Sequence, residues 1–379
     1  MRFRVERDVL AEAVAWAARS LPARPPVPVL AGLMLSADTD AAGRLVLSSF
    51  DYEVSARVEI TADVTEPGVV LVSGRLLADI TRSLPPRPVE VATDGAKVVV
   101  TCGSSRFTLL TLPVEDYPTL PEMPGASGSL RGDLFAAAVG QVSIAAGRDD
   151  TLPVLTGVRL EIEAEKITMA ATDRYRLAVR DLAWTPEQAG LSAIALVPAR
   201  TLADTAKSLA SADKVTVALA SGGTGEGLVG FEGSGRRTTS RLLDGEFPKY
   251  KSLLPAESAS VATVETAGLV ESVRRVALVA ERNTPIRLSF SGGEVTLEAG
   301  SGDEAQASES LDAGLTGDDI SIAFNPAYLL DGLGVLDAAY AELRFTASTR
   351  PAVIAAKDSM DATAGDDYRY LLMPVRLSG

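Results

Sequence analysis

The sequence contains no histidine, and this absence removes several kinds of chemistry at once. Histidine is the most frequent general base and metal ligand in proteins, and every Ser-His or Cys-His nucleophile pair requires it. Carboxylates, lysine and tyrosine are the acids and bases that are left. The composition therefore lowers the expectation of an enzyme without excluding one.

Cysteine is almost absent as well. The single Cys102 excludes an intrachain disulfide, and the segment Val98-Val99-Val100-Thr101-Cys102 is typical of a strand that buries an unreactive thiol. Because no cysteines or histidines are spaced as metal ligands, we expect neither a metal nor a cofactor.

Long apolar runs are missing too. No stretch approaches the roughly 20 residues that cross a bilayer, and the segment from Met1 to Arg7 has no signal-peptide core. We expect a cytoplasmic protein that does not contact membranes. The formal net charge of −14 argues against nucleic-acid binding unless Lys and Arg are concentrated in one patch.

What the chain does contain is a threefold repeat. The segment 24–33 is echoed at 148–158 and more faintly at 282–288, and the segment 72–80 is echoed at 197–205 and 324–332. A period of about 125 residues is the size of a domain and is too long for one unit of a solenoid. We therefore predict three copies of one domain, with the ranges 1–125, 126–255 and 256–379.

Each predicted domain begins with an apolar helix, and a second helix and several strands follow. The first helices are expected at 7–21, 131–146 and 266–281, and the second helix of the first domain at 74–84. The fold class is therefore α+β, and we expect each domain to be a βαβ-rich unit with two helices.

The second helix of each copy carries a pattern of charge. Arg75, Asp79 and Arg82 share one helix face, and Leu76, Leu77, Ile80 and Leu84 are expected behind it on the core side. The second copy repeats this face with Arg200, Asp204 and Lys207. The third copy keeps only the acid, Asp331. One interpretation is a solvated face with internal ion pairs. The other is a basic surface, repeated with the domain, that contacts a polyanion.

In order along the chain, these features resemble the bacterial sliding clamp, the beta subunit of DNA polymerase III. The segments that carry the resemblance are 3–7, 24–32, 171–179, 244–250, 324–330 and 373–377. The motif Thr172-Asp173-Arg174-Tyr175-Arg176 and the Ala- and Gly-rich composition are similar to actinobacterial members. The resemblance implies three tandem clamp domains and a head-to-tail homodimer that forms a six-domain ring around DNA.

Such a ring implies a processivity factor that has no active site of its own. The implied partners are double-stranded DNA without sequence preference, the DNA polymerase III alpha subunit, the clamp loader delta subunit, and other polymerases and repair proteins. The proteins would bind through short peptides in one hydrophobic pocket, where peptide-like inhibitors would also bind. The implied location is the cytoplasm, at the nucleoid.

The resemblance also implies three sets of site residues. The expected DNA contacts are Arg24, Arg75, Arg82, Arg148, Asp149, Pro153, Val154, Arg200 and Lys207. The expected pocket residues are Leu155, Thr172, Tyr175, Arg176, Leu177, Pro248, Leu253, Leu371, Met373, Pro374 and Val375. The expected dimer contacts are Arg106 and Phe107 on one side, and Leu278 and Val279 with the acids Asp303, Glu304 and Glu309 on the other.

Two other functions remain open. A three-domain enzyme or ligand-binding protein is opposed by the lack of histidine, metal spacing and a phosphate loop, and turnover of a small molecule would support it. A duplicate clamp with a role in repair or inhibitor resistance would share every feature above. Deletion and complementation would separate that clamp from a housekeeping copy.

Overall fold

The computed structural model describes residues 1–39, 43–219, 227–280, 284–300 and 305–376. In this part of the chain the α-helices are α1 Arg7–Ala17, α2 Gly74–Ser83, α3 Gly132–Ser143, α4 Ala199–Ser208, α5 Thr266–Val276 and α6 Pro326–Gly334. Short 3-10 turns extend α1 and α5, at Ala18–Ser20 and Ala277–Val279. The first helices of the repeat therefore lie where the sequence predicts them.

Strands make up most of the remaining described structure. Those before the third helix are β1 Arg2–Val5, β2 Gly32–Asp38, β3 Arg44–Phe50, β4 Val54–Thr61, β5 Asp63–Glu66, β6 Gly68–Ser73, β7 Val89–Asp94, β8 Lys97–Cys102, β9 Ser105–Leu112 and β10 Ala126–Leu130. The next are β11 Gly157–Glu163, β12 Lys166–Thr172, β13 Arg176–Ala183, β14 Thr185–Pro186, β15 Ser192–Pro198, β16 Val215–Leu219, β17 Leu228–Gly233 and β18 Arg236–Arg241. The last are β19 Ser260–Glu265, β20 Ile286–Ser291, β21 Glu294–Ala299, β22 Ala307–Thr316, β23 Ile320–Phe324, β24 Tyr340–Phe345, β25 Ala352–Lys357 and β26 Tyr368–Leu372.

The strand pairing corrects the expectation of βαβ units. A βαβ unit pairs its two strands in parallel, whereas the helices here connect strands that belong to antiparallel ladders. For example, β2 pairs antiparallel with both β3 and β6, and α2 begins directly after β6. The α+β class stands, but its sheets are built from antiparallel neighbours.

The helix faces follow the sequence pattern with exceptions in α1 and α2. Val9 belongs to the apolar pattern that predicts the first helix, but it is 43% exposed. Leu10, Val14 and Ala17 of α1 are buried, as their spacing predicts. In α2, Leu77 and Ile80 are buried, whereas Leu76 was expected on the core side and is 50% exposed. Leu76 lies one residue, about 100° of rotation, from Leu77 and therefore faces outward beside Arg75.

Contacts divide the chain into two compact units, and the first comprises Met1–Asp133 and Lys207–Leu242. Its strands run in the order β10-β16-β17-β18-β4-β3-β2-β6-β9-β8-β7-β1-β5. The pairing of β18 with β4 (Arg236 with Val58, Ser240 with Val54) joins part of the predicted central domain to the first domain. Helices α1 and α2 pack together over a core that includes Phe3 and Leu47.

The second unit comprises Leu134–Ala206 and Leu243–Gly379. Its strands run in the order β15-β11-β12-β13-β26-β25-β24-β19-β22-β21-β20-β23. The pairing of β13 with β26, which places Leu177 opposite Leu371, joins the rest of the predicted central domain to the third. The predicted central domain thus contributes strands to both units.

A helix that crosses a bilayer needs about 20 predominantly apolar residues. In the described ranges, none is both long and apolar enough to do so.

A glycine in α6 provides a test of the packing in the second unit. A Cβ atom added at Gly332 would collide with the ring of Tyr370, which is fully buried and donates its hydroxyl to the carbonyl of Tyr328 at 2.8 Å. Gly332→Ala should lower the free energy of unfolding by about 1–3 kcal/mol because the core has no room for the methyl group. Urea unfolding followed through buried Trp184 measures this, with Trp16 replaced by Phe.

Gly334→Ala is the matched control in the same helix. No heavy atom lies within 4 Å of a Cβ atom added at Gly334. This variant should unfold at the same urea concentration or a slightly higher one, because Ala favours a helix over Gly. Equal effects of the two substitutions would contradict the packing described for Tyr370.

Candidate functional site

A groove of about 570 Å³ opens on the second unit, and three segments of chain form it. They are the loop before β11, the turn between β12 and β13, and the outer face of α6. The lining residues are Ala146, Gly147, Arg148, Asp149, Leu152, Leu155, Asp173, Arg174, Tyr175, Arg176, Ala327, Tyr328 and Asp331. Three predicted pocket residues, Leu155, Tyr175 and Arg176, are among them.

The turn between β12 and β13 is shaped by its own side chains. The Asp173 carboxylate accepts hydrogen bonds from the backbone N–H groups of Tyr175 at 3.0 Å and Arg176 at 3.1 Å. Thr172 Oγ1 accepts from the Arg174 N–H at 3.2 Å and donates to the Arg176 carbonyl at 2.7 Å. Arg174 has a positive φ of 80°, which is uncommon for a residue with a Cβ atom. The result is a tight turn that leaves Tyr175 55% exposed at the groove.

Arg176 is a buried cation with its charge already neutralised. Its side chain is 5% exposed, with Nε at 3.0 Å from Asp173 Oδ2 and Nη1 at 2.5 Å from Asp331 Oδ2. Burial lowers the pKa of Arg176, but the hydrogen bond to Asp331 and further interactions raise it above its ordinary value. The guanidinium also lies 4.3 Å from the centroid of the Tyr328 ring. Arg176 therefore holds α6 to the turn.

Two tyrosines form the aromatic wall of the groove. The rings of Tyr175 and Tyr328 are stacked, with centroids 6.3 Å apart and planes at 26°. Burial raises the pKa of Tyr328 above its ordinary value. Together with Leu152 and Leu155, which line the same groove, these rings suit large apolar side chains of a peptide.

The other predicted pocket residues lie around the groove rather than on its lining. Leu177 and Leu371 are 1% and 3% exposed in a core cluster with Phe247 and Tyr250, and Thr172 is buried in the turn. The exposed members are Pro248, Leu253 and Met373. The Met373 N–H donates to the Tyr175 carbonyl at 2.9 Å, which places the C-terminal strand end beside the turn.

Pro374 and Val375 continue this C-terminal segment and are half-buried. The Val375 N–H donates to the Ala323 carbonyl at 2.8 Å. This bond fixes the segment to β23.

The sequence did not single out Leu152, Arg174, Ala327, Tyr328 or Asp331 as groove residues. Tyr328 stands at the repeat position of Leu76, which is exposed in the first copy. An aromatic residue at an outward-facing position of a helix is a signal that the sequence contains. Asp331 stands at the repeat position of Asp79, so its retention in a copy without the basic residues was a second signal.

The predicted DNA contacts in the first unit are exposed, and a hydrogen bond fixes one of them, Arg75. Arg75 Nη2 donates to the Pro22 carbonyl at 3.1 Å, which keeps Arg75 beside the loop that carries Arg24. Arg82 lies on the last turn of α2, 3.8 Å from Asp79, and both side chains are more than 70% exposed. Lys207, also exposed, lies on the last turn of α4.

In the second unit, the predicted DNA contacts Arg148 and Arg200 are exposed. Asp149 shapes its own loop, because its carboxylate accepts from the Thr151 N–H at 3.0 Å and from the Thr151 hydroxyl at 2.6 Å. These bonds lower the pKa of Asp149, so it carries a negative charge that would repel a phosphate.

At the end of the same loop, Pro153 is exposed and Val154 is half-buried. Pro153 starts a 3-10 turn. The side chain of Val154 is partly buried against the core cluster that contains Leu177. DNA contacts by Asp149, Pro153 and Val154 stay predictions.

Two strands in the region of the predicted dimer contact, β9 and β22, change their pairing partner along their length. In the first unit, β9 pairs with β8 over 105–110 and with β6 at 111–112. Arg106 and Phe107 are exposed in the first of these halves. Among the described residues, this half pairs along one edge alone.

The second unit has a similar strand. The half of β22 over 307–312 pairs with β21, and the other half pairs with β19. Leu278, just after α5, is 84% exposed, and Val279 beside it is half-buried. Asp303 and Glu304 lie outside the described residues.

A protein site for a metal ion needs several donor side chains close together. Within the described ranges, no group of three or more Cys, Asp and Glu side chains is arranged to hold a metal ion. Cys102 is buried, and its thiol lies 3.4 Å and 3.3 Å from the carbonyl oxygens of Pro85 and Arg87. This is the structural thiol that the sequence predicts.

Comparison with known proteins gives one family along the whole chain. Models of the N-terminal, central and C-terminal domains of the DNA polymerase III beta subunit match residues 1–121, 129–249 and 251–376. The chain is 66% identical over 379 residues to the beta sliding clamp of Streptomyces coelicolor, with 100% of both chains covered. It is 50% identical over 376 residues to the beta sliding clamp homolog GriR of Streptomyces muensis, with 99% of each covered.

The fold has a close counterpart among solved structures. A sliding clamp from Pseudomonas aeruginosa bound to griselimycin matches with a TM-score of 0.91 and 29% identity, covering 100% of both chains.

The acid that the repeat keeps in all three copies has different surroundings in the first and the third. Asp331 neutralises buried Arg176, whereas Asp79 pairs with an exposed arginine. Asp331→Asn should lower the free energy of unfolding by about 1–2 kcal/mol, because the buried guanidinium loses a charged partner. Asp79→Asn should change it by less than about 0.5 kcal/mol. Urea unfolding of both variants measures the difference, and equal losses would contradict the role given to Arg176.

Proposed function

This chain belongs to the DNA polymerase III beta subunit family, and we propose that it encircles duplex DNA and tethers the replicative polymerase to it. The expected resemblance, including its actinobacterial type, is confirmed by the family models and by the Streptomyces relatives. The observation that carries the function is the match to sliding clamps over the full length of the chain.

The assembly that we propose is a head-to-tail dimer with domains 1–125, 126–255 and 256–379 in each chain. A heterologous contact between unlike surfaces forms a closed ring when the rotation per subunit completes a circle. A further ladder would form between 105–110 of β9 in one protomer and 307–312 of β22 in the other. Among the described residues, each of these half-strands pairs along one edge alone, so its other edge can supply backbone groups. Phe107 of one protomer would pack against Leu278 of the partner subunit.

The charge distribution fits such a ring. A chain with a net charge of −14 repels DNA over most of its surface, so contacts to phosphate must come from local groups of arginine and lysine. We propose Arg24, Arg75, Arg82, Arg148, Arg200 and Lys207 for these contacts. Retention then depends on topology rather than on tight binding, which permits the ring to slide.

The groove of the second unit is the proposed binding site for partner peptides. The leucines and tyrosines of its lining suit two or three hydrophobic side chains, and its size suits a short segment rather than a folded domain. The alpha subunit of the polymerase, the clamp loader delta subunit and repair proteins would compete for it. The proposed role is non-catalytic, and the proposed location is the cytoplasm, at the nucleoid.

A duplicate clamp with a role in repair or inhibitor resistance is the alternative. The identity to the Streptomyces coelicolor beta sliding clamp, 66%, exceeds the 50% identity to the homolog GriR, and this favours the housekeeping role. Complementation of a strain that lacks its own clamp would separate the two.

Retention on circular DNA tests the encircling function. After loading onto a nicked circle, the protein should remain bound in about 1 M salt, where ionic contacts to phosphate are largely screened. Cutting the circle once should release it, because the ring slides off an end. Gel filtration of labelled protein with the DNA measures both. Equal loss of the protein from intact and cut circles in high salt would contradict encirclement.

Binding of griselimycin tests the groove. The stacked Tyr175 should provide a large apolar contact, so Tyr175→Ala should weaken binding at least tenfold, a loss of about 1.4 kcal/mol. Tyr52→Ala is the matched control, because Tyr52 is also an exposed aromatic residue at a turn but lies in the first unit. Calorimetric titration compares the three proteins. Unchanged binding by the Tyr175 variant would place the ligand elsewhere.

A further inference from the structure

A cleft of about 440 Å³ lies in the first unit, where the segment 120–124 crosses four neighbouring strands. The strands β16, β17, β18 and β4 form its floor, and each contributes a lining residue, in the cross-strand order Thr216, Glu232, Arg237 and Arg57. A second cleft, of about 370 Å³, adjoins the first, since Leu120 and Arg57 line both. We call the first of these the linker cleft.

The crossing segment is held in place on both sides of the linker cleft. Before it, the Phe50 N–H donates to the hydroxyl of buried Tyr117 at 2.8 Å. After it, β10 pairs with β16. Between these points Met123 packs on Gly230, where a Cβ atom added to the glycine would lie 2.7 Å from Met123 Cγ. Leu120 and Met123 are half-buried and form an apolar wall of the cleft.

Two arginines line the cleft from neighbouring strands. Arg57 is the direct cross-strand partner of Arg237, and like charges directly opposite each other destabilise a sheet. Arg237 Nη2 lies 3.0 Å from Glu232 Oε1, which offsets one of the two charges. In the described ranges no carboxylate forms an ion pair with Arg57, which is exposed. One positive charge therefore stays uncompensated at the floor of the cleft.

The other polar side chains of the cleft leave Arg57 as the group that a ligand would engage. The hydroxyls of Ser55 and Thr239 lie 2.5 Å apart, so they satisfy each other. Glu122 is exposed on the crossing segment and would repel a second negative charge. The cleft thus suits one carboxylate beside an apolar side chain, and it does not suit a run of phosphates.

We propose that the linker cleft binds a short acidic segment of a partner protein. One carboxylate of the segment bonds to Arg57 and Arg237, and a neighbouring apolar side chain packs against Leu120 and Met123. Hydrogen bonds between arginine and a carboxylate are stronger than neutral ones and fix orientation. The carboxylate also offsets the repulsion between the two arginines. The groove lies in the second unit, so this site goes beyond the proposed function and does not rest on it.

Selection from a phage library of random heptapeptides on the full chain tests the site, with excess griselimycin present to occupy the groove. Peptides that combine Asp or Glu with a large apolar residue should be enriched on the unchanged protein and not on Arg57→Ala. The most enriched peptide is then labelled and titrated by fluorescence anisotropy. Arg57→Ala should raise its dissociation constant about tenfold, because the carboxylate loses a charged donor. Glu122→Gln should lower the constant about twofold, because it removes a like charge.

Arg4→Ala is the matched control, because Arg4 is also exposed on a strand of the first unit but does not line the cleft. The dissociation constant of this variant should stay within about twofold of that of the unchanged protein. Griselimycin binding and retention on circular DNA should be the same in Arg57→Ala as in the unchanged protein, which shows that the variant is folded.

The proposal is overturned if no enriched peptide depends on Arg57, or if Arg57→Ala and Arg4→Ala weaken binding equally. A DNA duplex that binds more tightly than the peptide, and that also depends on Arg57, would assign the arginines to phosphate and overturn it as well. Each of these failures would leave the proposed ring and groove standing, because those are tested by retention on circular DNA and by griselimycin.

Discussion

The assembly that we propose depends on hydrogen bonding at two strand edges. β9 and β22 each change partner along their length, and one half of each has a neighbour on one side alone among the described residues. An edge of this kind is a row of unpaired backbone groups, which proteins ordinarily cover or pair. Each unit also exposes an apolar side chain, Phe107 on β9 itself and Leu278 just after α5. A second copy of the chain would pair the strand edges and cover the exposed apolar side chains.

The repeat allows one position in the fold to serve two chemistries. On α2 the outward face carries Arg75 and Arg82, which suit contact with phosphate. On α6 the corresponding face carries Ala327, Tyr328 and Asp331, and the structure uses it to form the groove wall. Gene duplication thus supplied the same scaffold, and a few exposed side chains determine whether the helix is suited to DNA or to a peptide.

The sequence predicted the helices of the repeat because apolar periodicity is a local property that burial enforces. It did not predict the antiparallel pairing, since a helix between two strands is compatible with both arrangements. It also grouped Leu177 and Leu371 with the groove, although their cross-strand pairing buries them beneath it. Whether an apolar residue lines a groove or supports it depends on neighbours far away in the chain. The ion pair between Arg275 and Glu309 is of the same kind, because its partners lie 34 positions apart in the chain.

Hydrogen exchange at the two strand edges tests ring closure most directly. Backbone amides in 105–110 and 307–312 that point away from β8 and β21 are the ones that a second copy would protect. We predict that they exchange slowly at concentrations where the dimer forms and quickly after dilution below its dissociation constant. Rapid exchange at every concentration, together with a mass equal to that of one chain, would contradict the account.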